Sequence, residues 1–96
     1  MVRIHEVGPR DGLQNESVVL PTAVKAQMIQ HMIDAGHTDI EVTSFVRPSW
    51  VPQLADAPEL LRILPTGTGV RFWALVPNMR GYERAVESSV EYVATV

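Results

Sequence analysis

The hydrophobic pattern of the chain changes period several times along its length. Short runs rich in β-branched and aromatic residues predict four strands, at Val2–Val7, Thr38–Thr43, Val70–Val76 and Glu91–Val96. Segments with helical spacing lie between them, at Thr22–Ala35, Ala57–Leu64 and 78–88. Strand and helix therefore alternate, which is typical of a parallel sheet with right-handed crossovers.

The first helix carries the clearest amphipathic pattern. Its apolar stripe is predicted to consist of Val24, Met28, Met32 and Ala35, widened by Ile29 and Ile33. The polar residues are expected to face outward, and they are Lys25, Gln27, Gln30, His31 and Asp34. Thr22 is a predicted N-cap, and Gly36 is expected to end the helix in a left-handed conformation.

Two architectures share this strand and helix order: an open doubly wound sheet and part of a closed eightfold barrel. The chain ends on a strand that no helix follows, which favours the barrel. A phosphate-cradling glycine loop is also missing after the first strand, where Pro9, Arg10 and Asp11 stand instead. The predicted fold class is therefore α/β, a partial (β/α)₈ TIM barrel. Since a complete barrel needs about 250 residues, residues 1–96 would supply three β/α units and a fourth strand of one incomplete domain.

Composition narrows the classes of function. A net charge of −3 offers no basic surface for nucleic acid or anionic membrane, and no apolar run is long enough to span a bilayer. The start of the chain resembles neither a signal nor a transit peptide. Cysteine is absent, so a thiol nucleophile and disulfides are excluded within the chain. We therefore expect a cytoplasmic protein that binds neither nucleic acid nor membrane.

Polar residues occur at three strand ends, which meet at one edge of a parallel sheet. The segment GPRDGLQNE follows the first strand, and Asn78 follows the third. Glu41 lies in the second strand, with Thr43 and Ser44 at its exit. Asp11 is a hard oxygen ligand suited to Mg²⁺ or Mn²⁺, whereas Arg10 can hold a carboxylate or an enolate. Glu41 could orient that guanidinium. Together these residues would suit cleavage of a carbon–carbon bond beside a carbonyl.

Simpler structural interpretations compete with this one. An Arg-Asp pair between glycines and proline is usually a solvated turn. Glu41 could form a structural salt bridge with Arg10 or Arg3, and Asn78 is a natural helix cap. The three histidines share no metal-ligand spacing, and Trp50 and Trp73 are expected to pack.

The motifs GPRDGLQNE, IEVTSFVRPSWVPQLAD and LVPNMRGYERAV resemble the N-terminal part of the 3-hydroxy-3-methylglutaryl-CoA lyase family. The shorter RDG-x-Q element is shared with a wider superfamily of metal-dependent barrel lyases and synthases. The resemblance implies cleavage of an acyl-CoA, hydroxymethylglutaryl-CoA, to acetyl-CoA and acetoacetate during leucine degradation. It matches Asp11 to the metal ligand, Arg10 to the residue that stabilises the enolate, and Glu41 to the acid that supports this arginine. Gln14 and Ser44 match substrate-binding positions at the rim.

The chain also departs from the family pattern. Arg47 and Ser49 stand where many relatives have Ser and Lys, and the family's two histidine ligands, its asparagine ligand and its reactive cysteine have no counterpart here. We therefore expect the 96-residue chain to be inactive by itself and to form homo-oligomers through exposed sheet edges. Two alternatives remain open at this point: another metal-dependent barrel synthase or lyase, and a non-catalytic half-barrel that acts as an interaction module.

Overall fold

A computed structural model describes residues 4–95 of the chain. It contains four strands, β1 (His5–Glu6), β2 (Asp39–Ser44), β3 (Arg71–Val76) and β4 (Tyr92–Thr95). The three longer helices are α1 (Thr22–Asp34), α2 (Ala57–Ile63) and α3 (Met79–Glu87). A π-helical turn at Gly8–Gly12 and a 3₁₀ turn at Pro52–Leu54 lie after β1 and before α2.

The four strands form one parallel sheet in the order β1-β2-β3-β4. Every crossover thus moves one strand further in the same direction. An open doubly wound sheet would instead reverse its direction at a switch point. The α/β class is confirmed, and the strand order is that of a barrel wall.

The helices pack against one face of the sheet through two apolar clusters. In the first, Ile29 of α1 packs with Ile40 and Val42 of β2 and with Leu60 of α2. The second lies nearer the carboxyl ends of the strands, and its buried members are Phe45, Ala57, Ala74, Val76 and Ala85. β2 is buried along its whole length. Because these clusters fix β2 between its neighbours, they also fix the polar residues that β2 carries.

The prediction for the face of α1 was partly wrong. Lys25 was expected to face outward but is buried, whereas Val24 of the predicted stripe is 44% exposed. The reason is a specific polar site: the Lys25 ammonium donates to the Gln53 carbonyl oxygen and, over 2.6 Å, to Asp56. A buried ammonium is tolerated when its hydrogen bonds are satisfied in this way.

The N-cap prediction was also wrong. α1 begins directly after Pro21, whose extended conformation makes it the capping residue, so Thr22 is the first helical residue. The Thr22 hydroxyl instead donates to Asp56 over 2.5 Å. The predicted end of the helix is confirmed, since Gly36 has a φ of 100°.

Two strand predictions need correction. β1 is shorter than predicted: it comprises His5–Glu6, while residues 2 and 3 of the predicted strand lie outside the described residues. β3 was expected to be covered on both faces, but Arg71 and Trp73 are only half-buried. These side chains lie on the face that the helices do not cover, where the described chain supplies no second layer.

Other packing predictions had mixed outcomes. Trp73 packs edge-on against His5, with 5.2 Å between ring centroids, whereas Trp50 is 70% exposed. Asn78 is confirmed as the cap of α3, because its Oδ1 accepts from the Gly81 amide over 2.8 Å. In the stretch 4–95, no helix is both long and apolar enough to cross a membrane.

Candidate active site at the carboxyl edge of the sheet

A tight turn redirects the chain where β1 ends. The amides of Arg10 and Asp11 both donate to the Val7 carbonyl oxygen, over 3.1 Å and 2.7 Å. Pro9 within this turn is buried. The turn occupies the Gly8–Gly12 segment and contacts β2 extensively. Consequently Arg10 faces the neighbouring strand, which agrees with the irregular turn that the Gly/Pro content predicted.

Glu41 of β2 has a side-chain partner on each carboxylate oxygen. Arg10 Nε donates to Oε1 over 2.6 Å, and His5 Nε2 lies 2.9 Å from Oε2. The Glu41 side chain is only 5% exposed, and that of Arg10 is 17% exposed. A carboxylate in this position requires such partners, because an unpaired buried charge costs several kcal/mol. Of the two arginines considered for this salt bridge, Arg10 forms it, while Arg3 lies outside the described residues.

The Arg10–Glu41 contact leaves the outer end of the guanidinium available. Arg10 Nη1 lies 3.3 Å from Asp11 Oδ1, and the Asp11 side chain is 55% exposed. Arg10 can therefore be held at Nε by Glu41 while its terminal nitrogens bind an anionic oxygen at the edge of the sheet. Arg10, Asp11 and Glu41 form a continuous charged row from exposed rim to buried strand.

A β-bulge lies next to Glu41. The register between β2 and β3 shifts between Glu41 and Thr43, so that Glu41 pairs with Trp73 and Thr43 with Ala74. Bulges redirect side chains and often stand beside functional sites. Thr43 Oγ1 is buried without a hydrogen-bond partner within residues 4–95. The bulge thus lies between Glu41, which binds Arg10, and the unsatisfied hydroxyl of Thr43.

A second carboxylate, that of Asp39, lies two residues before Glu41 and on the same face of β2. Asp39 is fully buried and accepts hydrogen bonds from Trp73 Nε1 over 3.1 Å, from Thr38, and from Arg71. Desolvation by burial raises the pKa of Asp39, but the hydrogen bonds and the Arg71 charge outweigh it, so that this pKa lies below its ordinary value. Asp39 is thus a carboxylate that anchors the sheet near the amino end of β2.

The remaining predicted site residues lie further from Arg10. Gln14 is half-buried just after the turn, and within the described residues its side chain forms no hydrogen bond. Ser44 is buried and is the last residue of β2, at the same edge of the sheet. These positions are compatible with a substrate-binding rim, but the contacts in the described chain do not join Gln14 or Ser44 to the charged row.

Sequence reasoning missed the part that His5 plays. It treated His5 as an ordinary strand residue, whereas the imidazole contacts both Glu41 and the Trp73 ring. The register could have revealed this contact. His5 pairs with Asp39 across the parallel ladder, and Glu41, two residues further, shares the face of Asp39.

The residues present fit a divalent metal only in part. Asp11 offers an exposed carboxylate of the right chemistry. However, the described residues contain no group of three or more His, Cys, Asp or Glu side chains that could hold an ion. Within the described residues, Asp11 alone offers one carboxylate to an ion.

The strands of the parallel sheet follow one another in chain order, and an arginine and two acidic residues lie at its carboxyl edge. This arrangement is expected of a metal-dependent barrel lyase, the class that the sequence motifs imply. No family profile matches the chain. Its sequence is 48% identical over 93 residues to the mitochondrial hydroxymethylglutaryl-CoA lyase of Arabidopsis thaliana, covering 97% of this chain and 20% of that protein. The chain is thus homologous to the hydroxymethylglutaryl-CoA lyases, and the motif-based resemblance is confirmed.

Solved structures give the same result for the fold. A hydroxymethylglutaryl-CoA lyase from Pseudomonas aeruginosa matches 98% of this chain and 31% of its own, with a TM-score of 0.92 and 47% identity. An HMG-CoA lyase from Acinetobacter baumannii, in complex with coenzyme A and 3-methylmalate, matches 99% of this chain and 31% of its own, with a TM-score of 0.92 and 34% identity. The partial barrel prediction is therefore confirmed, and the chain corresponds to the N-terminal part of such a barrel.

The coverage limits what these similarities transfer. The chain spans about a fifth to a third of the length of the proteins it matches. Relatives named as mitochondrial and as cytoplasmic both occur, so the compartment does not follow from them. The matches favour the lyases over the two alternatives, a synthase of the wider superfamily and a non-catalytic module.

Proposed function

We propose that this chain provides the Arg10 portion of the active site of a hydroxymethylglutaryl-CoA lyase, within the N-terminal part of one barrel domain. The observation that carries the proposal is the 2.6 Å contact between Arg10 Nε and Glu41 Oε1. It fixes a permanently charged guanidinium at the edge of the sheet where barrel enzymes bind substrate. The homology to lyases supports the same assignment.

In the proposed reaction a base removes the proton from the tertiary hydroxyl of hydroxymethylglutaryl-CoA. The bond between C2 and C3 then breaks, the hydroxyl carbon becomes the ketone of acetoacetate, and the electron pair moves into the thioester as an enolate. Arg10 donates hydrogen bonds to the enolate oxygen, and protonation of the carbon yields acetyl-CoA. A hydrogen-bond donor that is already oriented toward such an oxygen typically accelerates the chemical step about 100- to 1000-fold.

Glu41 is assigned as the positioning residue in this scheme. It holds Nε of Arg10, and its second oxygen is held by His5, so the carboxylate itself cannot rotate away. A preorganised cation avoids the reorganisation that a flexible arginine would undergo during the reaction. Gln14 and Ser44 are proposed to contact the substrate at the rim.

Asp11 is proposed as one ligand of a divalent ion, Mg²⁺ or Mn²⁺, the other ligands being supplied by residues outside this chain. Such an ion would polarise the substrate oxygens that it binds. We further propose that the substrate is an acyl-CoA, that the lyase acts in leucine degradation in the cytoplasm, and that it is a homo-oligomer. The 96-residue chain by itself is proposed to be inactive, because one carboxylate binds such an ion weakly.

The proposed activity is tested by measuring acetoacetate release from hydroxymethylglutaryl-CoA, with the protein produced as its own gene encodes it. Arg10→Gln should lower kcat about 100-fold or more. Arg62→Gln is the matched control, since Arg62 is an exposed arginine of α2. Equal kcat values for the Arg10 and Arg62 variants would exclude a catalytic role for Arg10.

A further inference from the structure

His5 contacts side chains of two other strands on the face of the sheet that the helices do not cover. Its Nε2 atom lies 2.9 Å from Glu41 Oε2 of β2, and its ring centre lies 5.2 Å from that of Trp73 of β3, with 71° between the ring planes. Such an edge-to-face contact is a preferred arrangement of aromatic rings. Trp73 is itself held by the hydrogen bond from its Nε1 to buried Asp39 and by the Tyr92 ring, 5.1 Å away between centres. The imidazole is therefore oriented by its neighbours, although the His5 side chain is 34% exposed.

The hydrogen of the His5–Glu41 contact belongs to His5. Glu41 is paired with Arg10 as a carboxylate, and an ionised carboxylate can only accept hydrogen bonds. His5 Nε2 must therefore carry a hydrogen and donate it to Oε2, while Arg10 Nε donates to Oε1. The orientation of the Glu41 carboxylate is thus fixed at both oxygens, in a side chain that is only 5% exposed.

Arg10 binds this carboxylate through one nitrogen only. Pairs of arginine and carboxylate are frequently bidentate, with Nε and the adjacent Nη2 donating to the two oxygens. Among the contacts within residues 4–95, Arg10 reaches Glu41 through Nε alone, and its other side-chain contact is from Nη1 to Asp11 Oδ1 over 3.3 Å. The oxygen that Nη2 would use in a bidentate pair is the one that His5 binds. In the described chain Nη2 therefore forms no hydrogen bond.

We propose that His5 is a positioning residue for the lyase reaction: it holds Oε2 of Glu41, so that Arg10 keeps Nη2 for an anionic oxygen of the substrate. The reaction step rests on the proposed function, whereas the arrangement of the three side chains does not. A bidentate pair needs the carboxylate and the guanidinium in one plane, and the His5 contact opposes that rotation of the carboxylate. Without His5 the carboxylate would turn toward Arg10, and Glu41 would bind both Nε and Nη2. Arg10 would then stay charged but would lose a donor aimed at the enolate oxygen.

Two amide substitutions at position 5 differ in reach and provide the central comparison, in the protein as its gene encodes it. The amide nitrogen of glutamine can take the place of His5 Nε2, so His5→Gln should retain most of kcat for acetoacetate release. Asparagine is one methylene shorter and cannot reach Glu41, so His5→Asn should lower kcat about 10- to 100-fold, with little change in KM. His5→Leu, which offers no donor, should behave like His5→Asn. His31→Leu is the control, since His31 is an exposed histidine of α1.

This comparison separates positioning from a role in stability alone. If His5 only stabilised the fold, His5→Asn would lower the midpoint of urea unfolding while kcat per folded molecule stayed equal to that of His31→Leu, and this result would overturn the proposal. A kcat equally low in His5→Gln and His5→Asn would also overturn it, because the donor would not be the reason for the loss.

His5 should also act through Glu41. In the Glu41→Gln background the second oxygen is replaced by an amide nitrogen or made a single acceptor, so a bidentate pair with Arg10 is no longer possible. Adding His5→Asn to Glu41→Gln should therefore lower kcat no further. A loss as large as in the single His5→Asn variant would contradict an effect that passes through Glu41.

Crystal structures of the unmodified protein, His5→Gln and His5→Asn test the arrangement without turnover. Arg10 should bind Glu41 through Nε alone in the first two, and through both Nε and Nη2 in His5→Asn. An unchanged contact through Nε alone in His5→Asn would overturn the proposal, whatever the kinetic result. If the unmodified protein releases no acetoacetate, the proposed lyase function fails, and these structures still decide whether His5 sets the contact between Arg10 and Glu41.

Discussion

Arg10 Nε and Glu41 Oε1 lie 2.6 Å apart although 31 residues separate them in the chain. This contact joins the turn after β1 to the centre of β2. A double-mutant cycle with Arg10→Gln and Glu41→Gln should therefore show a coupling of about 1–3 kcal/mol in the free energy of unfolding, measured with urea. The exposed pair Gln30 and Asp34, 3.0 Å apart in α1, is the control and should couple by about 0.5 kcal/mol or less. Equal coupling in both cycles would contradict a structural role for the Arg10–Glu41 pair.

Charge alone should not be sufficient at position 10. Arg10→Lys retains a cation but loses the planar fork, so one ammonium would have to serve Glu41 and the substrate oxygen together. We expect kcat for hydroxymethylglutaryl-CoA cleavage to fall about 100-fold, with a much smaller change in KM. Steady-state kinetics of acetoacetate release, with the protein produced as its own gene encodes it, measures both constants. Near-normal kcat in Arg10→Lys would show that the guanidinium geometry is not used.

The buried carboxylate of Asp39 should make stability depend on acid pH. Its pKa in the folded chain is lowered from 3.8, so its stabilising contribution is complete above that value and is lost as pH falls through the lower folded pKa. Asp39→Asn should therefore flatten the decline of unfolding free energy with falling pH below about 4. Urea unfolding across acid pH measures this slope. Asp34→Asn, at an exposed position of α1, is the control and should leave the slope unchanged.

Lys25 is the one lysine of the chain, and it is 1% exposed. Amine-reactive reagents should therefore leave Lys25 unlabelled in the folded protein and label it only in concentrated urea, as peptide mass spectrometry would show. Rapid labelling of Lys25 under native conditions would contradict its burial.

Removal of the Lys25 ammonium should also be costly. Lys25→Met keeps an unbranched side chain but leaves Asp56 with Thr22 as its remaining partner. We expect a loss of roughly 3 kcal/mol in unfolding free energy. The double variant Lys25→Met with Asp56→Asn should recover part of it, because the carboxylate charge is removed together with the ammonium. A double variant less stable than Lys25→Met would contradict this explanation.

Replacing Gly81 by alanine should have the opposite effect on stability from the usual replacement of a glycine in a helix. Replacing a helical glycine by alanine ordinarily stabilises a protein by about 1 kcal/mol. At this position the new Cβ would lie 2.6 Å from the Phe45 carbonyl oxygen, so α3 would have to move. Gly81→Ala should thus destabilise the protein by about 1–3 kcal/mol. Gly12→Ala is the control in thermal unfolding, because a Cβ on Gly12 meets no atom within 4 Å.

Local pattern was sufficient for the order of the elements. The period of apolar residues predicted α1, α2, α3 and the strands to within a few residues. This was possible because the spacing of apolar residues within a segment differs between a helix and a strand. It failed for Lys25, because the partners that make burial of an ammonium acceptable come from Gln53 and Asp56, about 30 residues away. Residue type at one position cannot show whether a distant partner will satisfy it.

The sequence by itself determined the alternation of strand and helix, the polar strand ends, and the family motifs that include Arg10, Asp11 and Glu41. Only the tertiary structure decided the order in which the strands pair, the choice of Arg10 as the arginine that binds Glu41, and the second contact that Glu41 makes with His5. The physical reason is that periodicity records which face of an element is apolar. The register between strands and the partners of buried charges are set only when separate elements pack together.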